Sequence, residues 1–186
     1  MKKTMKKNKE KRGYTKKLVT AALFSAICFG MTMVSIPLPV VGYGNLGDCF
    51  VLLAGWLLGP IWGALAAGLG TALADVALGY AVYAPATFVI KGLMVLVSYC
   101  IGVLLSGHSD GRVRQVVAHA SSAVWGELIM IGGYFAYETL LYGMAAAAGA
   151  LVGNSVQAAV GVVLSTALIT VIRNNKALDE MFTKDR

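Results

Sequence analysis

Charge is what this chain has least of. Only 13% of its 186 residues are Asp, Glu, Lys or Arg, and 58% are hydrophobic. Soluble domains carry about 25% charged residues. The shortage excludes a soluble globular protein and indicates a polytopic membrane protein, one compact bundle without room for a separate soluble domain. Histidine is scarce too. His108 and His119 have no nucleophile or metal partner at a recognisable spacing, so they read as surface or packing residues. The three cysteines, Cys28, Cys49 and Cys100, fall in or beside apolar runs. Their number is odd and no pair has metal-ligand spacing, so they read as small buried hydrophobes. There is no Walker motif, so the chain does not itself use ATP in the usual way. Ser121 and Ser122 match no nucleophile elbow. No catalytic group, metal or cofactor is expected. No internal repeat stands out, which weakens an inverted-repeat transporter reading.

The little charge present is unevenly placed. Nine Lys and Arg precede residue 18, Arg112 and Arg114 sit mid-chain, and Arg173, Lys176, Lys184 and Arg186 end the chain. The positive-inside rule puts all three segments in the cytoplasm. Such a topology signal, with attraction to anionic membrane lipid, explains the basic N-terminus more simply than a nucleic-acid partner does. The apolar run Leu18–Ser35 is long for a signal peptide and no clear small-x-small cleavage site precedes Pro37, so it reads as a retained helix. The expected organisation is a basic cytoplasmic segment 1–17, a transmembrane bundle 18–172 and a cytoplasmic tail 173–186.

The expected fold is an all-α membrane protein of six transmembrane helices with both termini cytoplasmic. The first helix spans Leu18–Ser35, whose eighteen residues rise about 27 Å. Ala22 and Ala26 give it a small face that admits another helix, either inside the bundle or on a partner. Pro37 and Pro39 stop it. The stretch from Pro37 to Asp48, with Gly42, Gly44 and Gly47 for tight turns, is expected to be a structured outer loop, a lid or pocket wall. The second helix, Cys49–Leu58, is only about 15 Å long. Either it does not span, leaving five crossings, or the preceding loop dips into the membrane and the helix completes the passage. Five crossings would expose Arg112, Arg114 and the basic tail outside, so six are expected. Helices follow at Ile61–Gly79, Ala86–Ser106, Val116–Tyr142 and Ala150–Ile172. Gly55, Gly59 and Gly63 suggest a tight hairpin between the second and third. Tyr80 and Tyr83 read as interfacial aromatics.

Each ionisable group inside a membrane costs about 2.5–3.5 kcal/mol unless paired or facing water. Asp48, Asp75, Lys91, Glu127 and Glu138 nevertheless fall in or at the ends of apolar segments. Chain direction places Asp48, Asp75, Lys91, Glu138, Asn154 and Gln157 together in the outer third, and only Glu127 nearer the middle. This convergence predicts a polar cavity near the outer face, roofed by the loop. Tyr43 can stack on a flat ring, Asn45 can hold its polar edge, and Tyr134 adds a further aromatic. The competing interpretation is a structural network in which Lys91 pairs with Asp48 or Asp75 and Glu127 binds a neighbouring helix.

The stretch Pro39–Lys91 resembles the substrate-binding S components of energy-coupling factor (ECF) vitamin transporters, in the riboflavin-type branch. The resemblance rests on Gly42-Tyr43-Gly44-Asn45-Leu46-Gly47-Asp48, Leu58-Gly59-Pro60, Ala74-Asp75, Leu78-Gly79-Tyr80, and Tyr83-Ala84-Pro85-Ala86-Thr87 with Lys91-Gly92. It implies a protein of the bacterial plasma membrane with no chemistry of its own. Such a protein binds a riboflavin-, pyridoxine- or pyrimidine-like vitamin or precursor near the outer face. It also implies partners: a coupling transmembrane subunit and two ATPase subunits, docked against an Ala-x-x-x-Ala face that Ala22 and Ala26 match. A stand-alone proton- or sodium-coupled carrier, with Glu127 or Asp75 as the ion site, is the alternative.

Overall fold

A computed structural model describes residues 2–37, 43–107, 111–176 and 178, with side chains from residue 13 onward except those of 36, 37 and 43. The elements are α1 (Lys2–Met33), β1 (Ser35–Pro37), β2 (Tyr43–Asn45), α2 (Gly47–Leu58), α3 (Pro60–Ala77), α4 (Ala84–Ser106), α5 (Arg112–Tyr142) and α6 (Met144–Asn174). Five of the six helices are long and apolar enough to cross a membrane, α1 through its Gly13–Met33 part; α2, at twelve residues, is too short to do so alone.

The short helix is the axis of the bundle. α2 touches α1, α3, α4, α5 and α6. It is buried from Gly47 to Leu57 with the exception of Phe50. A helix apolar on every side belongs in an interior, and this one is wrapped by its neighbours. The surrounding helices are patterned the opposite way. On α3, Leu65, Leu69, Leu73 and Val76 face outward, while Thr71 and Asp75 face inward and are buried. Apolar residues outside and polar ones inside is the arrangement a bilayer rewards and water penalises.

The α2–α3 connection is tight, and its three glycines divide the work. Gly59 takes φ +81°, which turns the chain. Pro60 then opens α3 at a position where its missing N–H costs nothing. A Cβ at Gly63 would lie 2.6 Å from the Ala54 carbonyl oxygen, so only glycine lets the two backbones approach this closely. Gly55 instead faces Val95 of α4.

Several expected boundaries move. The first helix begins at Lys2 rather than Leu18, because the basic segment is rich in Lys and other good helix formers and extends a helix already nucleated. It ends at Met33. Ser35–Pro37 pairs antiparallel with Tyr43–Asn45, register Ser35 to Asn45, so two short strands flank the expected lid. Ile36 precedes a proline and is biased to extended backbone. Residues 38–42 of that loop, and the 108–110 part of the mid-chain loop with His108, lie outside the described residues. The last helix begins at Met144 rather than Ala150, since Ala145–Ala148 are the strongest helix formers available. Cys28 and Cys49 are buried as expected, whereas Cys100 is exposed on the outward side of α4. Ala22 and Ala26 are exposed on α1, so their small face is not spent on packing within the bundle.

Candidate functional site

Pairs of residues one helical turn apart bring the polar groups to one end of the bundle. Side chains at i and i+4, or i and i+3, share a face. α3 contributes Thr71 and Asp75, α4 Thr87 and Lys91, α5 Tyr134 and Glu138, and α6 Asn154 and Gln157. Thr32 of α1, Asn45 of β2, and Tyr80 and Tyr83 before α4 complete the wall. The space among these side chains, counted together with the open solvent at its mouth, is about 460 Å³.

Lys91 anchors the floor. It is 2% exposed and forms an ion pair with Asp48, itself 1% exposed. The second Asp48 oxygen accepts a hydrogen bond from Gln157 Nε2 at 2.6 Å. Gln157 Oε1 in turn accepts the Asn45 backbone N–H at 2.9 Å, which ties β2 to α6. Asn45 Oδ1 accepts the Gly47 N–H at 2.8 Å and shapes the entry into α2. One chain of contacts thus runs from the strand pair through Gln157 and Asp48 to Lys91. A buried charge pair survives where hydrogen bonds satisfy its remaining lone pairs, as Gln157 does here.

The opposite wall is phenolic. Lys91 Nζ lies 5.5 Å from the centroid of the Tyr134 ring, within cation–π range. The Tyr134 hydroxyl shares a 2.9 Å hydrogen bond with Thr87. Tyr83 sits at the centre of four aromatic contacts, with Tyr80, Tyr134, Tyr137 and Tyr142 at 5.7–6.4 Å between centroids. Its hydroxyl donates to Glu138 Oε1 at 3.5 Å. Glu138 Oε2, Asn154 Nδ2 and Thr32 Oγ1 are buried and have no hydrogen-bond partner among the described residues. Three such groups stand around one space, where a solute or water can meet them.

The structure gathers seven of the nine expected contact residues around this cavity: Asn45, Asp75, Lys91, Tyr134, Glu138, Asn154 and Gln157. Asp48 stands behind Lys91 and does not line the space, so it positions Lys91 and Gln157. The Tyr43 side chain lies outside the described residues. Sequence reasoning missed Thr32, Thr71 and Thr87, and read Tyr80 and Tyr83 as interfacial aromatics. Tyr83 is 7% exposed. The missed signal was spacing: Thr71 and Thr87 each precede a charged residue by four positions and so share its face. Glu127 lies deeper on α5, 2% exposed, where Gly161 leaves room for its carboxylate beside Asp48. His119 is a packing residue, its ring edge-on to Trp56 at 5.1 Å.

With this geometry in view, the comparisons with known proteins agree. The family model described as "ECF-type riboflavin transporter, S component" matches residues 13–174. A protein of Pyrococcus woesei, described as "Uncharacterized protein in gap 3'region", is 34% identical over 144 residues, which cover 77% of this chain and 91% of that one. The fold is also similar to that reported in "Structure and mechanism of the S component of a bacterial ECF transporter". The TM-score is 0.68 at 21% identity, over 87% of this chain and 97% of that one. A six-helix bundle with a polar cavity at one end and a match running through all six helices give one conclusion: the chain belongs to the family of ECF-type riboflavin transporter S components.

Proposed function

We propose that the cavity between Lys91, Tyr134, Glu138 and Asn154 binds a small vitamin or vitamin precursor, riboflavin-, pyridoxine- or pyrimidine-like, near the outer face of a bacterial plasma membrane. An S component is the substrate-binding subunit of a transporter and not an enzyme. In this reading the solute passes inward through an ATP-driven module made of a coupling transmembrane subunit and two ATPase subunits. The observation that carries the reading is the cavity wall itself, polar side chains from every helix but α2 converging inside a bundle whose outer surface is apolar. Grouping costly polar residues around one space makes physical sense where a ligand or water meets them. The basic residues at both ends of the chain support cytoplasmic termini, with α2 and its strand pair completing a sixth passage. Segment 1–17 then continues α1 on the cytoplasmic side, 18–172 forms the binding bundle, and 173–186 is the tail.

The test is purification of the tagged protein from membranes of cells that make it, followed by native mass spectrometry. A retained heteroaromatic solute, released on denaturation, together with co-purifying ATPase subunits, is the expected result. Uptake of that solute that persists without ATPase partners and collapses with the proton or sodium gradient would instead identify a stand-alone carrier.

A further inference from the structure

We infer that this cavity selects an uncharged or cationic amino-substituted nitrogen heterocycle, read through its N–H groups by Glu138, and rejects anionic and phosphorylated solutes. The inference rests on the substrate-binding reading above and names the chemistry of the ligand.

The first observation is the balance of charge at the wall. Among the described residues Lys91 is the only cation lining the cavity, and its charge is already answered by the Asp48 carboxylate behind it. Gln157 donates to the other Asp48 oxygen, and the balanced Lys91–Asp48 pair presents no net positive charge to an incoming anion. Asp75 and Glu138 both contribute carboxyl groups to the lining. A phosphate or carboxylate brought here would meet acidic groups in a medium that screens poorly.

The second observation is Glu138 itself. It is 3% exposed and lines the cavity. Its Oε1 accepts from the Tyr83 hydroxyl, and its Oε2 has no partner among the described residues. An amino group supplies the N–H that this oxygen lacks, and a positive charge on that amino group makes the bond a strong one. Tyr83 and Tyr134 place aromatic rings in the same wall, and an aromatic ring interacts more favourably with a solute as that solute becomes more cationic. Asn154 Nδ2, an unpartnered donor on α6, complements an acceptor such as a ring nitrogen or hydroxyl elsewhere on the solute. Acceptor on α5 and donor on α6 together describe a ring bearing both an amino group and a lone-pair nitrogen.

The test is isothermal titration calorimetry on the purified full chain with four unphosphorylated probes and their phosphate esters: 4-amino-5-hydroxymethyl-2-methylpyrimidine, thiamine, pyridoxamine and riboflavin. An amino-bearing probe should bind tightest, and its phosphate ester at least about tenfold more weakly. Glu138→Gln, which keeps the shape but puts an N–H donor in place of one carboxyl oxygen, should weaken the amino-bearing probe by about tenfold or more. It should leave thermal unfolding without ligand nearly unchanged, which separates lost recognition from lost folding. Tightest binding by riboflavin or by any phosphate ester, or an unaltered affinity in Glu138→Gln, overturns the inference while the vitamin-binding reading stands. Binding of none of the eight compounds overturns the vitamin-binding reading, and the inference with it.

Discussion

At the scale of single residues, the Lys91–Asp48 pair shows why a costly interaction persists in a membrane bundle. Each charge alone would be prohibitive in this interior, and the pair is tolerated because Gln157 and the Tyr134 ring complete its surroundings. Lys91→Met strands the Asp48 carboxylate and is expected to destabilise the detergent-solubilised protein by on the order of 3 kcal/mol. Asp48→Asn added to it removes the stranded charge and should restore part of the loss. Thermal unfolding of the four members of this cycle measures the coupling, expected above about 1 kcal/mol; strictly additive effects would show that the two side chains do not act as a pair.

At the scale of elements, the Gln157 amide ties the strand pair to the bundle. Gln157 accepts from the Asn45 backbone on β2 while donating to Asp48 on α2. β2 is therefore linked to the floor of the cavity through a side chain on α6. Replacing Gln157 by Leu keeps its volume and removes both bonds. Hydrogen exchange at the Asn45 amide should accelerate about tenfold or more, in keeping with loss of a bond worth about 1–2 kcal/mol, while amides in the middle of α4 keep their protection. Unchanged exchange at Asn45 would mean that other contacts hold the strands in place.

For the whole molecule, the proposed coupling subunit has to find its place on an apolar outer surface. Ala22 and Ala26 are exposed on α1 among large apolar neighbours such as Leu23 and Val19. A small face surrounded by large side chains is a shallow groove, and small residues let a second helix come close. Ala22→Trp with Ala26→Trp fills that groove. We expect vitamin uptake by cells to fall to background while the purified variant binds its solute with unchanged affinity. Uptake at the normal rate, or parallel loss of uptake and binding, would move the docking surface elsewhere.

The membrane class and the approximate course of the crossing helices were legible in the sequence, because hydropathy and helix length are local quantities read against a fixed bilayer thickness. The convergence of Asp75, Lys91, Glu138, Asn154 and Gln157 was legible for a related reason: alternating chain direction fixes which end of each helix is which. Residue order could not separate contact from support. Asp48 and Lys91 have the same depth in sequence, yet one lines the cavity and the other stands behind it, because that depends on the rotation of α2 within a ring of five helices. The turn before α4 likewise carried Tyr83 inward to the centre of an aromatic cluster, and the rotation of α4 left Cys100 outward. Depth along a helix is set by the chain itself, whereas the direction a side chain faces is set by the packing of every helix against its neighbours.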